Sequence, residues 1–268
     1  MSRTELPTPT PTPTLARTVR GSGPGLLLAH GAGGGIQPNY GPIMDGLAEH
    51  FTVVGPDYPG TGGSPRTDAP LTLDGLADEL VAAAVAEGLE TFAVTGYSLG
   101  APVAVRAATR HPDRVTALVL TAGFARPNAR FSLATRLWRD LIEKTDDPAG
   151  ITAFGALLGF AAPTADAFSQ ADVDAMLAAG WDSVPPGTPD HLDLADRVDV
   201  LADLPRVTVP TLVISTTLDA LVTPFHHRQL ADGIPGAHLT ELATGHVPFF
   251  ERPQEWLELM VGFLTSVE

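Results

Sequence analysis

Short, continuous apolar runs punctuate the first half of the chain: 25–30 (Gly-Leu-Leu-Leu-Ala-His), 51–56 (Phe-Thr-Val-Val-Gly-Pro), 91–95 and 115–120. Runs of this length bounded by turn residues predict strands buried on both faces, as in a parallel sheet. Between them, 73–86 repeats apolar residues at helical spacing (Leu73, Leu76, Ala77, Leu80, Ala84), with Asp74, Asp78 and Glu79 on a solvated face. An Ala/Val-rich segment after residue 100 predicts a further helix. Two more strand-like runs, 210–215 and 238–242, and a closing helix over 254–265 resume the pattern near the C-terminal end. Residues 15–20 have room for one short strand. This alternation predicts an α/β fold with a mostly parallel twisted sheet and helices on both faces.

The alternation stops between 126 and 206. Helical spacing recurs over 131–144 (Leu133, Leu137, Trp138, Leu141), 151–160 (Phe154, Leu157, Leu158), 165–179 and 192–204, with no strand pattern. Proline-containing breaks such as Val184-Pro185-Pro186-Gly187 separate these segments. Too long for a plain connection, the stretch predicts an inserted helical cap over 126–206, with the core formed by 15–125 and 207–268. Residues 1–14, with their Pro-Thr repeats, predict a disordered tail of low complexity.

Composition narrows the function classes. A chain of 268 residues that is 44% hydrophobic suits one large α/β domain with an insertion. Its net charge of −15 argues against nucleic acid or an anionic membrane surface as partner. No apolar run approaches the ~20 residues of a membrane span. The first residues lack the apolar stretch of a secretory signal, so a cytoplasmic location is expected, for a monomer or homodimer. The absence of cysteine excludes disulfides, thiolate nucleophiles and thiolate metal sites. Lys144, the only lysine, lies in a charged helix-like stretch, which leaves no phosphate-loop lysine. His226 and His227 are adjacent and so cannot share a helical face as a metal pair. No metal and no cofactor are expected.

The candidate chemistry centres on Gly96-Tyr97-Ser98-Leu99-Gly100, between the strand at 91–95 and the helix after it. A G-x-S-x-G in that context predicts a sharp strand-to-helix turn that presents the Ser98 hydroxyl at a helix N-terminus. The bare motif also arises by chance, in which case Ser98 is a helix cap. The loop Gly31-Ala32-Gly33-Gly34-Gly35, which follows the strand at 25–30, fails the dinucleotide fingerprint because Ile36 stands at the third glycine position. Its other use is to offer backbone N–H groups to an oxyanion. His30 reads as a buried imidazole bracing that loop.

Taken together, these stretches resemble the α/β-hydrolase fold superfamily, as a serine hydrolase with a helical cap, over nearly the whole chain. His30-Gly31-Ala32-Gly33 resembles the family's oxyanion loop, Asp57–Ser64 its D-x-x-G-x-G-x-S turn, and Gly96–Gly100 its nucleophile elbow. Asp219 stands where the family places its acid, after a late strand, and Gly245-His246 through Glu251-Arg252-Pro253 is similar to its G-H-x-x-x-x-E-x-P ending. Three departures stand out. One short strand fills the N-terminal part where the family commonly has a hairpin, Ala101-Pro102 follows the elbow, and the loop Ala32-Gly33-Gly34-Gly35 is richer in glycine than the simple version.

The resemblance implies a catalytic set of Ser98 as nucleophile, His246 as base and then acid, and Asp219 holding the imidazole. It implies an oxyanion hole from the N–H groups of Leu99 and Ala32, with Ala32 preferred to Gly33. Asp57 reads as a structural bracket. The candidate substrate pocket comprises Gly33, Tyr97, Phe124, Trp138, Trp181 and Val247, roofed by the cap. For both tryptophans, burial within the cap's own core is an equal alternative. The expected partner is a small-molecule acyl substrate. Three function classes stay open: a hydrolase of an ester, lactone or thioester; an acyltransferase or lyase on the same triad; and a catalytically silent binding protein.

Overall fold

The computed structural model describes residues 15–179 and 184–267. The tail expected over 1–14, and Trp181, lie outside the described residues. In chain order the first half runs β1 (Arg17–Arg20), β2 (Gly25–Ala29), α1 (Ile36–Ala48), β3 (Thr52–Pro56), α2 (Leu73–Ala86), β4 (Phe92–Tyr97), α3 (Gly100–Arg110) and β5 (Val115–Thr121). Five helices follow: α4 (Ala129–Lys144), α5 (Pro148–Gly159), α6 (Ala162–Asp166), α7 (Gln170–Ala179) and α8 (Thr188–Arg197). The chain then returns through β6 (Thr211–Thr216), α9 (Pro224–Gly233), β7 (His238–Leu242), α10 (Pro248–Glu251) and α11 (Pro253–Leu264).

The strands form one seven-stranded sheet in the order β1-β3-β2-β4-β5-β6-β7. β1 pairs antiparallel with β3 at one edge, and every other pairing is parallel. Alternate residues of the central strands feed two cores. Leu27, Val54, Val94, Leu118 and Val213 face α2, α3 and α9, whereas Leu26, Leu28, Val53, Val119 and Ile214 face α1 and α11. Burial on both faces is why these strands read as unbroken apolar runs. Trp256 of α11 is fully buried, stacks on Tyr40 of α1 at 5.4 Å, and donates its indole N–H to Thr121 Oγ1 at 2.9 Å.

Several elements differ from the sequence reading. α1 is a full helix where no element was expected. Its apolar stripe (Ile36, Tyr40, Ile43, Met44, Leu47) is interrupted by Gly41, Pro42 and Gly46, which read locally as turn residues. The helix expected over 165–179 is two pieces. Ser169 and Asp172 exchange hydrogen bonds (Ser169 N–H to Asp172 Oδ2 at 2.9 Å, Asp172 N–H to Ser169 Oγ at 3.2 Å), a reciprocal cap that starts α7 at Gln170. The helix expected over 192–204 is instead α8. It ends where Val198 turns extended, and Val200 N–H donates to Ala125 O at 2.9 Å, closing the inserted segment back onto its own start. Among the described residues no helix is long and apolar enough to cross a membrane.

Candidate active site

β4 runs into Ser98, whose φ of 54° is left-handed, a strained conformation for a residue with a Cβ. Glycine is required on both sides. A Cβ at Gly96 would collide with the Gly100 carbonyl, and one at Gly100 with the carbonyl of Ala29 on β2. The turn is held by Ser98 N–H to Thr121 O on β5 and Ala101 N–H to Ser98 O, both at 3.0 Å. Pro102 falls in the first turn of α3, where its missing N–H would have no helical acceptor.

Three side chains from distant parts of the chain meet at that turn. His246 Nε2 lies 3.0 Å from Ser98 Oγ, and His246 Nδ1 lies 2.7 Å from Asp219 Oδ2. A carboxylate oxygen accepts, so the imidazole proton sits on Nδ1 and Nε2 faces the hydroxyl as an acceptor. Asp219 is immobilised in turn. Its Oδ1 accepts from Leu221 N–H and Val222 N–H, both at 2.8 Å, and its Oδ2 also accepts from Thr216 Oγ1 at 3.0 Å. The His246 loop is tied down by Tyr97 OH to His246 O at 2.8 Å and by His246 N–H to Gly159 O at 2.7 Å. Glu251 accepts from Gly245 N–H at 2.9 Å with one oxygen and from Ala161 N–H at 2.7 Å with the other.

The glycine loop after β2 is held by side chains that are buried or, for Asp57, half-buried. His30 Nε2 accepts from Tyr58 N–H at 2.9 Å, which leaves Nδ1 protonated and donating to Gly31 O at 2.8 Å. Burial pulls His30 down to about 3, so it stays a neutral brace. Asn39 Oδ1 accepts from Gly31 N–H at 3.0 Å, and Asp57 Oδ1 accepts from Ile36 N–H at 2.8 Å. His191 reaches in from α8, and its Nδ1 accepts from Gly33 N–H at 3.2 Å. With Gly33 engaged, the N–H groups of Ala32 and Leu99 are bonded to no protein acceptor among the described residues. Both residues line the same cavity as Ser98.

That cavity, about 950 Å³, lies between the elbow and the inserted helices. Ser98, His246, Gly33, Tyr97, Phe124, Trp138 and Val247, all named from sequence, are on its wall. The sequence did not single out Phe131, Leu221, Phe249 or Phe250 as lining residues, although their aromatic or branched side chains close it. Phe124 and Phe131 pack at 4.6 Å on one side, and Phe160 meets Phe168 and Phe250 edge-on, each at 5.1 Å, on the other. Among the described residues Asp172 is the one carboxylate on the wall, which does not include Asp219. His227 is held by Ser215 Oγ at 3.0 Å, and burial lowers its titration to about 4. Among the described residues no three His, Asp or Glu side chains converge to hold a metal ion.

Comparison with known proteins identifies the family. The family model described as alpha/beta hydrolase fold matches residues 24–253. The chain is 33% identical over 254 residues to pyrrolizixenacetamide deacetylase of Xenorhabdus hominickii, covering 92% of this chain and 93% of that protein. It is 30% identical over 233 residues to a pimeloyl-(acyl-carrier protein) methyl ester esterase of Neisseria meningitidis serogroup A, covering 84% of this chain and 72% of that protein. A thermophilic esterase from Thermogutta terrifontis superposes with a TM-score of 0.81 at 25% identity, covering 94% of this chain and 93% of that one. The chain therefore belongs to the alpha/beta hydrolase fold family, among its hydrolase enzymes.

Proposed function

We propose that the protein cleaves a carboxylic ester, lactone or thioester of a small, fairly hydrophobic molecule through an acyl-enzyme on Ser98. The observation that carries this reading is the unbroken chain from Ser98 Oγ through His246 to Asp219 beneath an apolar cavity. His246 Nε2 takes the hydroxyl proton as Ser98 Oγ attacks the carbonyl carbon, and Asp219 supports the imidazolium that forms. The oxyanion is received by the Ala32 and Leu99 N–H groups, each such donor being worth ~3 kcal/mol. His246 then protonates the departing alcohol or thiol. Water, deprotonated by the same nitrogen, hydrolyses the acyl-enzyme and restores Ser98.

The apolar wall favours a hydrophobic acyl or leaving group over a polymer or a highly charged substrate. Similarity to a protein named as a deacetylase adds an acetyl amide to the bonds worth assaying. The test is rapid-quench mass spectrometry of the Ser98 peptide during turnover of a panel of nitrophenyl esters and one N-acetyl arylamide. An acyl mass increment on that peptide, absent in Ser98→Ala, is expected. Turnover without any such adduct, or undiminished turnover in Ser98→Ala, would overturn the reading. Adding a competing alcohol distinguishes hydrolysis from acyl transfer by the products formed.

A further inference from the structure

Three successive glycines, Gly33 to Gly35, give the loop beside Ser98 little conformational preference of its own. Its geometry must be imposed from outside, and part of it is imposed by α8. His191 is fully buried there. Its Nε2 lies 3.0 Å from the Pro59 carbonyl, which can only accept, so Nε2 carries the ring proton. Nδ1 is left as a lone pair, and it receives the Gly33 N–H. Both ring nitrogens are thus satisfied, and by two core loops at once.

The start of α8 is seated on the same loops. Gly187 N–H donates to Gly60 O at 3.0 Å. Arg66 clasps Asp190 through Nε to Oδ2 at 2.7 Å and Nη2 to Oδ1 at 3.0 Å. Gly33, at φ 64°, lies so close to the helix that an added Cβ would fall 2.6 Å from Thr188 Cγ2. The rigid peptide plane does the rest. Holding the Gly33 N–H also fixes the Ala32 carbonyl of the same plane in the opposite direction. The Ala32 N–H belongs to the preceding plane, whose Gly31 carbonyl accepts from His30 Nδ1 at 2.8 Å and from Gly34 N–H at 3.2 Å, so Ala32 is held between two fixed planes, the second of them by His191.

We propose that His191 is a positioning residue: through Gly33 it sets the backbone of Ala32, whose N–H receives the oxyanion formed at Ser98. The inference rests on the assignment of Ser98 as nucleophile. It makes the last helix of the inserted segment part of the oxyanion site as well as of the roof. The contact needs an acceptor at the Nδ1 position, which separates the possible replacements. Asparagine sets an amide oxygen near the Nδ1 site, glutamine sets an amide N–H₂ near the Nε2 site, and phenylalanine keeps the ring volume with neither.

The test compares His191→Asn, His191→Gln and His191→Phe with the unmutated protein for kcat and KM on one activated ester. It also measures inhibition by a trifluoromethyl ketone, whose adduct with Ser98 carries an oxyanion. His191→Gln and His191→Phe are expected to lose about 10- to 100-fold in kcat. Their KM should stay within about twofold, with ketone affinity falling in parallel with kcat. His191→Asn is expected to recover most of both. If His191→Phe does not fold, the Asn and Gln pair decides. Equal kcat in all the folded variants, or equal loss in Asn and Gln, would overturn the role of His191. Failure of Ser98→Ala to abolish turnover would instead remove the underlying reading.

Discussion

The backbone N–H of His246 donates to the carbonyl of Gly159, so the loop that carries His246 hangs from the last residue of α5. Glu251 reinforces the joint by bridging Gly245 N–H on one side and Ala161 N–H on the other. Replacing one carboxylate oxygen with an N–H₂ turns one of these contacts into donor facing donor. Glu251→Gln is therefore expected to destabilise the protein by about 1–3 kcal/mol. It should also lower kcat, because the His246 ring loses support. Urea unfolding together with steady-state kinetics checks both; a variant unchanged in kcat would show that the joint is purely structural.

Ser98→Ala removes one hydroxyl at a turn and leaves no core cavity. Turnover should fall by at least about 10³-fold while the melting temperature moves by no more than about 2 °C. Asp219→Asn should lose activity on a similar scale. Its amide no longer selects the Nδ1–H tautomer that leaves Nε2 free to accept the Ser98 proton. An Asp219→Asn enzyme within tenfold of wild type would shift the acid role to another carboxylate.

The cavity wall predicts a change in selectivity. Trp138→Ala enlarges the side that holds Phe124 and Phe131, and Phe160→Ala opens the cluster shared with Phe168 and Phe250. Each should raise the ratio of kcat/KM for a long over a short acyl or alkyl chain, by about tenfold where the added methylenes fill the vacated space. Wild-type ratios in both variants would mean that these rings hold the helices together without touching substrate.

Acid should unfold this protein early. Burial lowers His30 to about 3 and His227 to about 4, and shifts His191 and His226 in the same direction. The unfolded chain takes up these protons as pH falls through about 6.5, whereas the folded protein does not. The stabilisation is complete above that pH and is lost progressively toward the folded values. Two such histidines alone give a slope on the order of 2–3 kcal/mol per pH unit near pH 5. Urea midpoints at pH 7.5, 6 and 5 measure it, and a flat profile across that range would show that these side chains are hydrated in the folded state.

Much of this was readable along the chain. The apolar runs at 25–30 and 91–95 became β2 and β4 because burial on both faces imposes a continuous pattern that needs no partner to recognise. The elbow was legible because its glycines answer to backbone collisions within a few residues and with one neighbouring strand. The order of Ser98, Asp219 and His246 was legible by resemblance, each following a strand end. What the sequence could not decide is what long-range packing decides. α1 was hidden because Gly41, Pro42 and Gly46 weaken its local signal while Tyr40 and Leu47 gain theirs from tertiary burial. His191 and Gly33 stand 158 positions apart, and no periodicity links them. Propensity and hydrophobic spacing report a residue's exposure to water within its own element. The hydrogen bonds that position Gly33, Gly245 and Ala161 depend instead on how α8, α5 and α10 pack against the sheet, which exists only once the chain has closed.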